Sequence, residues 1–387
     1  MVNILVISPS NIEVDPRVRR HVETAQEFGS VTTCGYGISS IQGCKHLGIK
    51  QTTRFLSKSL ITLSLIQAGF HQFSARRSQF YKEAKLAIQG SGISFDLVIV
   101  NDVHALQVAR DIFQAKNIWV DMHEYAPKEG DHDWRWRLAY KRHIKNLCNN
   151  HLQDVHAVTS VGTAICKKYE SDLNREVILL RNTSPFIDSA KLLLRKSKND
   201  NQIHLVHVGV AIRARHLENM VLAARECPEI LLHLFILPTE KSYFEHLQTI
   251  CNPISNVIIE PPLSVNSIIE HISQYDAGVV TIPPTSFNYE NGLPNKLFQY
   301  IQARLPIIAG PLQEVAEIVT VEDIGIVTKD FKVESIIAAY RSFISLKNNH
   351  FQESLEKAAK KYSVENENVT RRLILSSMVS SLEVGNV

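Results

Sequence analysis

Two kinds of segment alternate along the chain. Short apolar runs, most of them continuous, occupy 2–8, 96–101, 117–121, 155–159 and 177–180, and again 203–208, 231–236, 256–260, 276–281 and 305–309. Between them lie longer stretches, such as 16–28, 217–226 and 267–274, whose apolar residues recur every three to four positions. Continuous runs, rather than strict alternation, mark strands buried on both faces. The longer stretches predict amphipathic helices. Strands alternating with helices predict an α/β protein with parallel sheets wrapped by helices. The two series of runs are separated by 187–202, where Arg195-Lys196-Ser197-Lys198-Asn199-Asp200-Asn201 carries no strand or helix pattern. The expected organisation is a domain at 1–186, a linker at 187–202 and a domain at 203–387, with a final helix able to pack back on the first domain. Both domains have an ordinary size. In sheets of this kind ligands bind beyond the carboxyl ends of the strands.

Composition narrows the class. The 387 residues are 44% hydrophobic and 21% charged, as in a globular protein with a sizeable core. A net charge of +3 is too mild to point to nucleic acid. Cys34, Cys44, Cys148, Cys166, Cys227 and Cys251 form no C-x-x-C pair and no metal-ligand spacing, so reduced thiols and a cytoplasmic setting are expected. The apolar run at 2–8 is too short for a signal peptide and has no basic lead. No run reaches the roughly 18 apolar residues that a membrane span needs.

Two segments of the second half carry candidate chemistry. Asn291-Gly292-Leu293-Pro294-Asn295-Lys296-Leu297-Phe298-Gln299-Tyr300 is a Gly/Pro loop opening a helix, and the apolar run Leu305-Pro306-Ile307-Ile308-Ala309-Gly310 follows. A helix start presents unpaired N–H groups and a positive dipole end, which suit a phosphate. Lys296 falls in the first turn. Asn295 and Gln299 share a face, where amides can bond a sugar diol. The plain alternative is an ordinary connection ahead of an amphipathic helix. In Val208-Gly209-Val210-Ala211-Ile212-Arg213-Ala214-Arg215-His216 a glycine ends a strand, two arginines follow, and a helix is expected from about His216. Such arginines can clamp a diphosphate, or simply be solvated loop residues. No G-x-G-x-x-G follows any strand; Gly35-Tyr36-Gly37 is only a fragment of one.

The first half adds three motifs. Asp15-Pro16-Arg17-Val18-Arg19-Arg20 is a sound helix start, with Asp15 as cap and Pro16 in the first position, and Arg17 is placed to reach the ligand side. Asp102 and His104 follow a strand, with Asp102 a proton acceptor or a helix cap. The stretch Trp134–Lys145 is basic with interleaved aromatics, and suits an anionic membrane surface, an extended acceptor, or a plain solvated helix face.

Taken together, 215–219, 291–310 and 15–20 resemble glycosyltransferase family 4. Asn101-Asp102-Val103-His104-Ala105-Leu106, Val120-Asp121-Met122-His123-Glu124-Tyr125, Ala157-Val158-Thr159-Ser160 and Arg181-Asn182-Thr183 match in family order, over about residues 3–330. The resemblance implies the GT-B architecture, two Rossmann-like domains facing a central cleft. It also implies retaining, metal-independent transfer of a sugar from a nucleotide-diphosphate donor of UDP or GDP type, with no other cofactor. On that pattern Arg215 and Lys296 would neutralise the leaving diphosphate. Gly209, Arg213, Glu290, Asn291, Asn295 and Gln299 would line the donor site. His123 and Asp102 would sit at the reaction centre, and Arg17, His104 and Glu124 on the acceptor side. The acceptor would be a saccharide, a lipid-linked or a small-molecule hydroxyl, met in the cytoplasm or at the inner membrane face. The chain departs from the family where Asn291 and Gln299 replace two glutamates, although Glu290 stands one place before Asn291. An amide accepts weaker hydrogen bonds from a ribose than a carboxylate, at a cost of about 1–2 kcal/mol. Arg304 replaces a glycine, and 237–240 replaces a Gly-rich turn. Two rivals are a nucleotide-sugar 2-epimerase, which shares the architecture, and a non-catalytic binding protein.

Overall fold

The computed structural model describes residues 1–51, 60–131, 133–193, 202–346 and 350–384. The chain divides into two compact units, Met1–Arg181 with Ser286–Asn288 and Asn368–Val387, and Asn182–Thr285 with Tyr289–Glu367. Of the expected linker, 194–201 lies outside the described residues; Ser189–Lys191 forms a short 3-10 turn.

The first unit is built on a seven-stranded sheet: β1 Val2–Ile7, β2 Gly29–Tyr36, β3 Lys45–Ile49, β4 Leu97–Asn101, β5 Ile118–Met122, β6 Ala157–Ser160 and β7 Ile178–Leu179. Their order is β3-β2-β1-β4-β5-β6-β7, with every pair parallel. β4 and β5 are buried throughout, as their unbroken apolar sequence predicts. The helix Pro16–Ala25 starts where expected: the Asp15 carboxylate accepts from the N–H groups of Arg17 (3.1 Å) and Val18 (3.2 Å). Residues 368–387 cluster with this unit, and Ile374, Leu375 and Met378 are buried against Val18, Val22 and Trp119.

The second unit holds a six-stranded parallel sheet: β8 Ile203–Val210, β9 Ile230–Leu237, β10 Val257–Glu260, β11 Ala277–Val280, β12 Ile307–Ala309 and β13 Gly325–Val327. Its order is β10-β9-β8-β11-β12-β13. In both sheets the strand order reverses beside the first strand, between β1 and β4 and between β8 and β11. That is where a doubly wound sheet opens a crevice at its carboxyl edge.

β2, β3 and β13 fall outside the predicted strands. β2 carries two threonines and a glycine among its buried residues, β3 is half exposed, and β13 has three residues beginning with glycine. The stretch Trp134–Lys145 is two helices, Trp134–Ala139 and Lys141–His151, broken at Tyr140. The helix expected from His216 starts at Glu218, because His216 is left-handed (φ 45°) and ends the preceding 3-10 turn.

Candidate functional site

In the second unit the carboxyl end of β8 gathers a cation cluster. The helix Asn295–Gln302 lies against β11, where Gly278 leaves room for the Tyr300 ring; a Cβ there would come within 2.4 Å of it. The Tyr300 hydroxyl accepts from the backbone N–H of Val208 (3.1 Å), tying this helix to β8. Lys296, in the first turn, is thereby buried and aimed at Gly209. A Cβ on Gly209 would lie 2.9 Å from Lys296 Nζ, 3.1 Å from Arg215 Nη1 and 3.2 Å from His207 Nε2. Only a residue without a side chain leaves that space open.

His207 fixes its own tautomer. Its Nδ1 lies 2.8 Å from the Val279 carbonyl, which can only accept, so Nδ1 carries the proton. Nε2 therefore accepts from Lys296 Nζ at 3.2 Å. Burial, then the Lys296 charge beside it, holds His207 well below its ordinary range. Burial, then Arg215, pulls the Lys296 ammonium well below its usual value. Among the described residues no carboxylate pairs with Lys296 or Arg215, and Arg215 Nε is buried without a hydrogen-bond partner. Lys296 and Arg215 thus meet at the end of a strand, beside the open face of a glycine and, among the described residues, without a carboxylate partner, an arrangement whose chemistry suits an anion.

The remaining donor-side candidates divide. Asn295 is exposed, and its Oδ1 accepts from Asn182 Nδ2 (3.0 Å). Gln299 is half-buried one turn further along the same helix. Glu290 is exposed in the short helix Phe287–Asn291, which Asn291 ends. Arg213 does not join the cluster. Its backbone N–H binds Glu240 (2.9 Å), and its guanidinium lies 3.8 Å from that carboxylate and over the Tyr243 ring. The segment 237–240, which stands in place of a Gly-rich turn, supplies this partner through Glu240. Arg304 takes the left-handed conformation (φ 56°) that glycine would adopt there. Its side chain is buried, bonded to the carbonyls of Gln302 (2.6 Å) and Ile187 (2.8 Å), paired with Glu356 (3.0 Å) and stacked over Phe186.

In the first unit, β4 and β5 end in Asn101-Asp102 and Asp121-Met122-His123. Asp121 is the hub. Arg17 grips it bidentately at 2.7 Å through Nε and Nη2, His21 Nε2 lies 2.8 Å away, and the Thr159 hydroxyl donates at 2.6 Å. Burial alone would raise this carboxyl, but Arg17 and His21 hold it well below the usual range. Arg17 is thus a buried partner of Asp121 that also donates to the Leu180 carbonyl (2.9 Å), not the acceptor-facing cation expected from its place in the sequence.

His123 stands on this base. Its Nε2 lies 3.4 Å from Asn101 Oδ1 and 3.5 Å from Asp121, and its Nδ1 lies 3.8 Å from Asp102. Burial opposes charging the ring, but Asp121 and Asp102 outweigh it and raise its pKa. Asp102 has φ 69° and ψ 161°, a region nearly reserved for glycine and costing about 1–3 kcal/mol. Its N–H is fixed to the Asp121 carbonyl (2.9 Å) while its carboxylate caps the Val103 N–H (3.2 Å). His104 Nε2 lies 3.5 Å from Glu129, which raises its pKa against burial. Glu124 accepts from Asn288 Nδ2 (2.9 Å); burial, with Glu129 and Asp102 nearby, pushes its carboxyl up to about 7. His123, Asp102, His104 and Glu124 therefore share one strand-end cluster.

His207, His21, Asn288 and Glu129 escaped the sequence reading, and Asp121 entered it only as part of the 120–125 motif, without a role. His207 had a signal, a polar residue inside an apolar run two places before a glycine. His21 had another, lying four residues after Arg17 on one helix face. Among the described residues no group of three or more His, Cys, Asp or Glu side chains is arranged to hold a metal ion, and no helix is long and apolar enough to cross a membrane.

No family model matches the chain, and no curated protein matches it in sequence. Solved structures do. Sucrose-phosphate synthase from Thermosynechococcus elongatus superposes with a TM-score of 0.73 at 13% identity, covering 98% of this chain and 100% of that one. Anabaena HepE in complex with UDP gives 0.69 at 12%, covering 98% and 100%. The α,α-trehalose 6-phosphate synthase of Burkholderia multivorans gives 0.68 at 11%, covering 98% and 99%. The likeness is one of fold: two parallel-sheet α/β units of the kind found in GT-B glycosyltransferases.

Proposed function

We propose that the chain is a glycosyltransferase of the family 4 type, moving a sugar from a nucleotide-diphosphate sugar to an acceptor hydroxyl with retention at the anomeric carbon. The observation that carries this reading is the buried pair Lys296 and Arg215, without a carboxylate partner, at the open face of Gly209. Charge accumulates on the leaving diphosphate as the glycosidic bond breaks, so cations fixed there stabilise the transition state more than the ground state. Lys296 and Arg215 take that role without a bound metal, and His207 positions the Lys296 amine. Asn295 and Gln299, on the face that adjoins Lys296, address the nucleoside or the donor sugar, with Glu290 and Asn291 on the preceding loop.

The first unit supplies the acceptor side. His123, held against Asp121 and Asn101, orients the reacting groups. Glu124, with a carboxyl near 7, suits proton uptake from an acceptor hydroxyl at neutral pH better than the capping Asp102 does. The setting proposed is the cytoplasm. The departures at Gln299 and Arg304 favour a non-catalytic binding protein, but the packing of Arg304 against two carbonyls and Glu356 accounts for that residue without reference to the ligand.

The test is calorimetry and thermal shift with UDP, GDP, TDP and their sugars. Binding of one base class, lost in Lys296→Met and Arg215→Met, is expected, together with slow hydrolysis of the matching donor. The absence of binding by any nucleotide sinks the reading. Release of an epimerised free sugar assigns the chain to the 2-epimerases instead.

A further inference from the structure

Three short helices of the first unit expose apolar side chains that their inner faces do not need. Leu60–Gln67 buries Thr62 and Ile66 but leaves Leu60 (82%) and Ile61 in solvent. His71–Ala75 buries His71 and Ser74 while Phe70 and Phe73 stand out. In Trp134–Ala139, Trp136 packs on the core and Trp134 and Leu138 (77%) face outward. The elements are held side by side. Gln67 Nε2 donates to the Leu138 carbonyl (3.4 Å), the Phe70 N–H binds the Leu65 carbonyl (2.8 Å), and the His71 ring lies 5.5 Å from His143 of the helix Lys141–His151. Among the described residues the other exposed large apolar side chains are scattered along the sequence; here six are gathered by neighbouring elements.

Charge selects the occupant. Arg135, Arg137 and Arg142 are exposed beside this face, and among the described residues none has a carboxylate partner. Arg135 lies over the Trp134 ring at 5.5 Å. The neighbouring acids are engaged: Asp133 caps the Arg135 N–H (2.9 Å) and Asp131 pairs with Lys141 (3.1 Å). An apolar face with an outward tryptophan, rimmed by free arginines, matches the interface of a bilayer. There apolar side chains enter the acyl boundary, tryptophan sits at headgroup level, and arginine heads meet lipid phosphates. A protein partner would need matching acids of its own, whereas anionic lipid supplies them as a continuous surface. We infer that the outer face of Leu60–Gln67, His71–Ala75 and Trp134–Ala139 is a docking surface for an anionic lipid bilayer.

Co-sedimentation of the full chain with vesicles tests it, using phosphatidylcholine alone and phosphatidylcholine with a third phosphatidylglycerol. Binding is expected to the anionic vesicles, weakening as salt is raised. The exposed-site variants Trp134→Ser/Leu138→Ser and Arg135→Glu/Arg137→Glu, shown to be folded by unchanged melting, are expected to bind at least tenfold more weakly. Full-length chain remaining in the supernatant with anionic vesicles overturns the inference. So does binding that both double variants retain. Concentration-dependent dimerisation abolished by the same substitutions, with no vesicle binding, assigns the face to a second copy of the chain and also overturns it.

Discussion

Gly209 and Lys296 depend on each other. The glycine keeps open the volume into which two cations point, and the two nearest positions facing an added Cβ, Lys296 Nζ and Arg215 Nη1, are the tips of flexible side chains rather than backbone. Gly209→Ala is therefore expected to leave the fold intact while pushing Lys296 Nζ and Arg215 aside. Loss of one charge-assisted hydrogen bond, at about 1.5–3 kcal/mol, weakens nucleotide binding by roughly 10- to 100-fold with little change in melting temperature. Titration calorimetry beside a thermal melt checks both halves of that expectation. Lys296 gives a second handle. Burial and Arg215 depress its pKa in the free protein, and a bound diphosphate restores the negative charge that keeps it ionised. Binding must then draw in protons, and affinity must fall as pH rises through the free-state pKa of Lys296. Calorimetry of UDP or GDP in two buffers of different ionisation enthalpy measures the uptake. An uptake of zero in the wild type, or one unchanged in Lys296→Met, contradicts this account.

The helix Asn295–Gln302 and its exit show what an element adds to its residues. Arg304 combines a left-handed backbone, costing about 1–2 kcal/mol in a residue with a Cβ, with a buried side chain bonded to two carbonyls and Glu356. Arg304→Ala keeps the strain and loses the contacts, whereas Arg304→Gly loses the contacts and the strain. The glycine variant should be the more stable of the two by about 1 kcal/mol in urea unfolding, and both should fall below wild type. Equal stabilities would mean that the backbone at 304 carries no strain. The sequence displayed the long-run elements well. Strands such as 97–101 and 203–208 are mostly apolar runs because both faces are covered, and the run pattern finds them even where His204 and His207 interrupt it. It hid β2, whose buried threonines read as polar, and edge strands too short or too exposed to show a period. At the site, Lys296 and Arg215 stood out because each lies beside a glycine or a helix start. Arg17 looked like a ligand-facing cation, because nothing local reveals that Asp121, 104 positions away, faces it. Long-range pairs of this kind are a product of sheet order, not of spacing.

At the scale of the whole molecule, the chain begins in the first unit, crosses to the second and ends in the first, because residues 368–387 cluster with Met1–Arg181. The last helix, Val364–Val384, is not an appendage. It buries Ile374, Leu375 and Met378 beside Val18, Val22 and Trp119, places Arg372 on Glu27 (2.7 Å) and bonds Ser377 to His156 (2.8 Å). Three buried side chains at about 1.5–3 kcal/mol each amount to roughly 5–9 kcal/mol, as much as many domains possess in total. The exposed ion pair adds little to that sum. Truncation after Glu367 should thus unfold the first unit at ordinary temperature while sparing the second, whose sheet and Gly209–Lys296 cluster use none of the removed residues. Two consequences can be read separately. Hydrogen exchange should become fast in amides of β1, β4 and β5 and stay slow in β8, β9 and β11. A nucleoside diphosphate, if it is held by Gly209, Arg215 and Lys296 alone, should still bind the truncated chain within a few-fold of its original affinity. Retained exchange protection in β1 would show that the returning helix is dispensable. Nucleotide binding lost while β8 stays protected would show that the anion receptor needs groups beyond the second unit.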